Sequence, residues 1–163
     1  MKKLIFLCLC LLTATIGFPQ TKTSAPYNYI TKDVKELYSI IDDVRENPAF
    51  FAQRWSLREI ATAPSIGKID LSYPGVVSAT QILVNYENTN QTTVEGFEYI
   101  GWGIGQSIEE VVHDMLKSEH MRSYLLSPNY SYYGLSVKEV KGHAGWYRAV
   151  LFIPSESSFY TRN

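Results

Sequence analysis

Hydrophobic spacing changes period once along this chain, near Pro128, and that change constrains the fold more than any other feature. Before it, apolar residues recur at helical spacing: Val34, Leu37, Tyr38, Ile41 and Val44, then Val76, Ala79, Leu83 and Tyr86, then Ile108, Val111, Val112, Met115 and Leu116. After it, "YYGLSVKEVKGHAGWYRAVLFIP" alternates with period two. Two strand-like runs, 133–140 and 146–153, flank the glycine-containing loop "KGHAG", which reads as a hairpin. Helices first and hairpin strands last predict an α+β domain.

Local signals set the helix ends. Thr31 is placed to cap the first helix, with Asp33 in its positive first turn. Asn47-Pro48 interrupts that helix and restarts another through "AFFAQRW", Asn47 as the cap and Pro48 at the first position. "ATAPSIGKIDLSYPG" reads as a connection, followed by a helix over about 76–87. Ser107 and Glu110 form the spacing of a capping box for a helix over about 108–117. His120, in "LKSEHMRSYLLSP", falls on the tail of a helix. "FEYIGWGIG" is expected to be irregular, because its three alternating glycines weaken a strand.

The N-terminus reads as an export signal over residues 1–20: Met1-Lys2-Lys3, an apolar run of about a dozen residues, then polar residues. The run is shorter than the roughly 20 apolar residues of a spanning helix. Cleavage near Gln20 leaves 143 residues and no stable membrane anchor, and predicts a secreted or periplasmic protein. It also removes Cys8 and Cys10, the only cysteines, so disulfides, thiolate metal sites and cysteine nucleophiles are excluded from the mature chain. A domain of this size folds without such staples, since it buries about two thirds of its surface. Residues 21–30 read as a lead-in, 31–155 as the domain and 156–163 as a tail. With thirteen basic against sixteen acidic residues and no basic run, the mature chain lacks the positive footprint of a nucleic-acid binder.

Most familiar chemistries are missing. The glycines at 101, 103 and 105 lack the G-x-G-x-x-G spacing, the preceding strand and the lysine of a phosphate cradle. Ser118 lies two residues from His120, but no strained nucleophile turn surrounds it. Asp42-Asp43 and Glu109-Glu110 are adjacent on helices, diverge, and read as solvated faces. His113 falls on the polar side of its helix and His143 in the hairpin loop. Asn90-Gln91-Thr92 and Asn129-Tyr130-Ser131 are sequons that matter only in a glycosylating host.

Several segments together resemble the CAP superfamily, the SCP-like domains named for cysteine-rich secretory proteins, antigen five and pathogenesis-related proteins. "IIDDVRENPAFFAQRW" is similar to the opening helix of bacterial members, with its I-N-x-x-R-x-x-P pattern. "FEYIGWG" resembles their G-E-N-I-A-x-G segment, matching at Glu98, Ile100 and Gly103, with Tyr99 in place of the asparagine. "SIEEVVHDMLKSEHMRSYLLSPNYSYYGLSV" resembles S-x-x-x-V-V-x-x-W-L-x-S-P-G-H-R-x-N-I-L and the strand after it, in register at Val111, Val112, Leu116, Ser118, Arg122, Leu126, Pro128 and Gly134. The similarity spans about 34–153.

The resemblance implies a three-layer α-β-α sandwich with a central antiparallel sheet and a large cleft, where many members place two histidines and acidic residues that hold a divalent metal. In this register Met121 stands where the family has its cleft histidine, and His120 comes one residue early, about 100° away on a helix. Residues 76–97 contain no second histidine, and Ser118 occupies a position acidic in other members. Only Glu98 remains of the tetrad, too few ligands for a divalent ion. No cofactor is therefore expected. Glu98 is expected to satisfy backbone N–H groups or to line the cleft, and Arg122 to pair with a carboxylate or carbonyl of the fold. Trp102 and the Tyr130-Tyr132-Tyr133 cluster either line a cleft for an apolar or carbohydrate ligand or fill a core. The expected function is a non-enzymatic binding module for a small apolar ligand or an extracellular protein, with Glu98, His120, Met121, Trp102 and Ser118 as the cleft candidates. The alternatives are a hydrolase-like enzyme using Glu98 and His120, and a surface interaction protein that does not use the cleft.

Overall fold

The computed structural model describes residues 28–155, apart from 70, 72, 93–95 and 131–132. The expected leader, most of the lead-in and the tail at 156–163 lie outside the described residues, as does Tyr132. Among the described residues no helix is long and apolar enough to cross a membrane.

Helix α1 spans Lys32–Glu46, and the Thr31 hydroxyl oxygen accepts the Val34 N–H at 3.2 Å. Its apolar stripe, Val34, Leu37, Tyr38, Ile41 and Val44, is buried as the spacing requires. Pro48 opens α2, Pro48–Arg54. Asn47 stands at the cap position, but its side chain makes no capping bond there; the fixed φ and missing N–H of Pro48 suit the first turn without it. A 3-10 turn, Arg58–Ile60, follows.

Helix α3 runs Tyr73–Thr89, starting before the expected Val76 and ending after Glu87. Pro74 and Gly75, read as part of a connection, lie in its first turn. Proline is tolerated there, and Gly75 is buried against Gly134.

The largest correction concerns "FEYIGWGIG". It is strand β1, Phe97–Gly105. The glycines do not loosen it, because they are where a helix crosses closely. A Cβ at Gly103 would stand 2.4 Å from Met115 Cγ and 2.9 Å from the Val111 carbonyl oxygen. Helix α4, Ile108–Lys117, lies on that glycine face. Ser107 Oγ accepts the Glu110 N–H at 3.1 Å, and Glu110 Oε2 accepts the Gln106 N–H at 2.7 Å. The return bond of the capping box thus lands one residue early.

His120 is not on the tail of α4. The chain breaks at Ser118, whose φ/ψ is extended, and a separate helix, α5, spans Glu119–Leu125. The hairpin follows, β2 at Gly134–Glu139 and β3 at Tyr147–Pro154, joined through a loop in which Gly142 and Gly145 adopt positive φ.

The three strands form one antiparallel sheet in the order β1-β3-β2. The domain is therefore α+β with a small antiparallel sheet. Alternation along β3 divides the core. Ala149, Leu151 and Ile153 join the cluster built by α1, α2, α4 and α5, while Val150 and Phe152 join Ala79, Ile82 and Leu83 of α3.

Candidate functional site

The candidate site forms where α5 lies over the beginning of β1. Phe97 pairs with Pro154 and Tyr99 with Ile153, so two steps on β1 match one on β3 and Glu98 is the extra residue of a bulge. A bulge re-aims the side chain it carries. Glu98 turns to Tyr124 on α5, whose hydroxyl donates to Glu98 Oε1 at 3.0 Å. The expectation that Glu98 satisfies backbone N–H groups is corrected: its hydrogen-bond partner is a phenol.

Tyr99 comes next and packs against the larger core cluster. Its ring lies near-parallel to His120, centroids 6.0 Å apart, and to Tyr124, 5.0 Å apart. Tyr124 in turn meets Tyr130 edge-on at 4.8 Å. His120 and Tyr124 are four residues apart on α5 and therefore share a face. Met121 is buried, and a Cβ at Gly101 would come within 2.7 Å of its Cγ and Sδ and 2.8 Å of the Tyr99 ring. The space over Gly101 is thus filled by the Met121 thioether and the edge of Tyr99.

The remaining candidates separate. Ser118 Oγ accepts the Met121 N–H at 3.4 Å as the cap of α5. Arg122 donates to the carbonyls of Leu116 and Lys117, closing the end of α4. Trp102 points to the other face of the sheet, against Tyr86 and the α3 cluster. Tyr133 is buried, and burial pushes its phenol well above the usual range. The structure brings Glu98, His120 and Met121 to one end of β1 and leaves Ser118 as a helix cap and Trp102 behind the sheet.

A second group lies at the start of α4. Glu109 is not simply solvated. It accepts the Trp55 indole N–H at 2.8 Å and pairs with Arg54. His113 packs on the Trp55 ring, centroids 5.5 Å apart, and desolvation lowers its pKa. Trp55, Ser107, Glu109, Glu110 and His113 line an open pocket of about 260 Å³. On α1, Asp42 accepts the Ile69 N–H at 2.8 Å, and burial raises its pKa.

Compared with family models, with curated proteins and with solved structures, the chain finds no match in any of the three. What the site can do follows from its own side chains. Glu98 accepts a phenol hydroxyl, a thioether lies beside Gly101, and His120 stacks on a tyrosine. Among the described residues no three His, Cys, Asp or Glu side chains converge.

Sequence reasoning passed over Tyr99 and Tyr124. Tyr99 enters the sequence argument only in the place of an asparagine. The four-residue spacing of His120 and Tyr124 was the available signal, visible once α5 is read as its own helix.

The Tyr124 phenol is pushed up to about 12, first by burial among the rings and then by the hydrogen bond and charge of Glu98. A folded-state pKa above the unfolded value near 10 stabilises the fold below pH 10 and loses that contribution as pH rises from about 10 toward 12. Following phenolate absorbance, the Tyr124 phenol is expected to titrate near the upper end of that range, below the still higher Tyr133. In Glu98→Gln its midpoint falls but stays above the ordinary tyrosine value, because burial remains.

Proposed function

We propose that this chain is an exported, CAP-like binding domain that acts without catalysis. In this reading the helices on the two faces of the sheet form the outer layers of a three-layer α-β-α sandwich. The position of the family's metal-holding cleft is filled by Met121, Tyr99 and their neighbours. The observation that carries the proposal is the separation of the two candidate catalytic groups: Glu98 accepts the Tyr124 hydroxyl, the His120 ring lies along Tyr99, and among the described residues no hydrogen bond joins Glu98 to His120. General acid–base chemistry needs such groups within hydrogen-bond reach of a substrate proton. The partner classes are a small apolar ligand or an extracellular protein.

The test is a panel of chromogenic esters, peptides and glycosides with wild type and a Glu98→Gln/His120→Gln double variant. Both are expected at the uncatalysed rate. Turnover by wild type that the double variant loses by about a hundredfold or more, the scale of general acid–base catalysis, would establish the hydrolase reading instead.

A further inference from the structure

The far face of β1 leads to a different surface. Strand β1 is an edge strand, and the edge of a sheet presents unpaired N–H and C=O groups to any extended chain. Ile104 N–H points outward, since it donates to Asp114 Oδ2 at 3.1 Å rather than to β3. The ladder runs without a shift from Tyr99 to Gly105, so the N–H and C=O of Ile100 and Trp102 also point outward. Among the described residues nothing pairs with them. On the opposite edge, Leu135 N–H is occupied by the Tyr38 hydroxyl at 3.3 Å. The open stretch thus lies between the bulge at Glu98 and the Asp114 block at Ile104.

The side chains beside it on the α3 face are apolar and positive. Ile104 is 42 % exposed, and Trp102 and Ile100 are half-buried. Arg148, opposite Ile104 on β3, holds its guanidinium 4.8 Å from the centre of the Tyr86 ring. Lys138 beside it is paired with Glu87, whereas no carboxylate among the described residues pairs with Arg148.

We propose that the Ile100–Trp102 edge binds an extended peptide by strand addition, and that Arg148 selects a carboxylate on it. Main-chain bonds supply the docking and side chains on alternate residues the specificity. A second copy of this chain fits less well. A two-fold pairing centred on Gly101 would bring Glu98 of one copy to the Ile104 end of the other, where Asp114 stands, and like charges so placed repel. The inference builds on the binding-domain reading but uses a surface apart from Glu98. Catalysis found at Glu98 would sink that reading and leave this one standing.

The probe is a blocked peptide of alternating threonine and valine with a central glutamate, titrated into isotopically labelled protein while backbone amide resonances are followed. Saturable shifts centred on Ile100 and Trp102 are expected. Arg148→Gln, or a lysine in place of the peptide glutamate, weakens binding about tenfold, the scale of one charge-assisted hydrogen bond. Ile100→Pro removes an outward N–H at an edge position that tolerates proline, so the fold persists and binding is lost. If that variant does not fold, methylating the peptide nitrogens that face β1 gives the same loss. No saturable shift, equal binding of the lysine peptide, equal binding after either blockade, shifts confined to the Tyr99–His120 stack, or a dimer formed through this edge would each overturn the proposal.

Discussion

Gly134→Ala is expected to destabilise the fold by about 3 kcal/mol, the upper end of what overpacking a filled interior costs. An added Cβ would stand 2.3 Å from the Gly75 carbonyl oxygen and 2.9 Å from its carbon. Both are backbone atoms, so no rotamer change relieves the clash and α3 must lift from β2. The lift also pulls on the buried 2.7 Å hydrogen bond between Thr80 and Ser136, and on the packing of Ile82 and Leu83 against Val150 and Phe152. Denaturant unfolding of the variant should show a lower midpoint with an unchanged slope. Gly67→Ala is the contrast. A Cβ there meets nothing within 4 Å, and the change is expected to be neutral or slightly stabilising.

Arg45→Met is expected to cost about 3–5 kcal/mol. Arg45 is 3 % exposed, near the end of α1. Its Nε donates to the Gly67 carbonyl at 2.8 Å, and its Nη1 to the Leu125 carbonyl at 2.6 Å. Longer contacts reach the Ser127 carbonyl at 3.5 Å and the Tyr133 hydroxyl at 3.4 Å. One guanidinium thus ties α1 to the long connection before α3, to the end of α5 and to the approach to β2. Each bond from a charged donor contributes about 1.5–3 kcal/mol, and removing the donor leaves carbonyls short of a partner. Methionine preserves volume, so the loss reports hydrogen bonding rather than a cavity. Lysine should rescue little, because one ammonium cannot reproduce the planar fork. Thermal unfolding measures the loss, and hydrogen exchange should show the Ile66 amide, bonded to the Arg45 carbonyl at 2.9 Å, losing protection first.

Much of the architecture could be read from local pattern. The α1 stripe, the proline restart at Pro48, the cap at Ser107 and the period-two hairpin are determined by residues close in sequence. Strand β1 was not legible for a physical reason. Its glycines lower strand propensity, and what compensates is the close crossing of Met115 and Met121, residues that follow later in the chain. Propensity does not register such contacts. The break at Ser118 was hidden for a similar reason. "LKSEHMRSYLL" carries helical spacing through the break, and only the capping by Ser118 and the Arg122 bonds to the α4 carbonyls divide it into two helices. At the candidate site, the proposed CAP-like register puts Met121 where that family has a histidine. The phenol–carboxylate contact at Glu98 needed the bulge, which shifts one side chain and leaves no mark in composition.

Zinc titration by calorimetry, with wild type and Glu98→Ala at neutral pH, tests most directly the proposal that aromatic and thioether side chains stand where CAP-like domains hold a metal. The account predicts no saturable uptake at micromolar zinc and indistinguishable traces for the two proteins. Stoichiometric uptake by wild type that disappears in Glu98→Ala and in His120→Ala would contradict it.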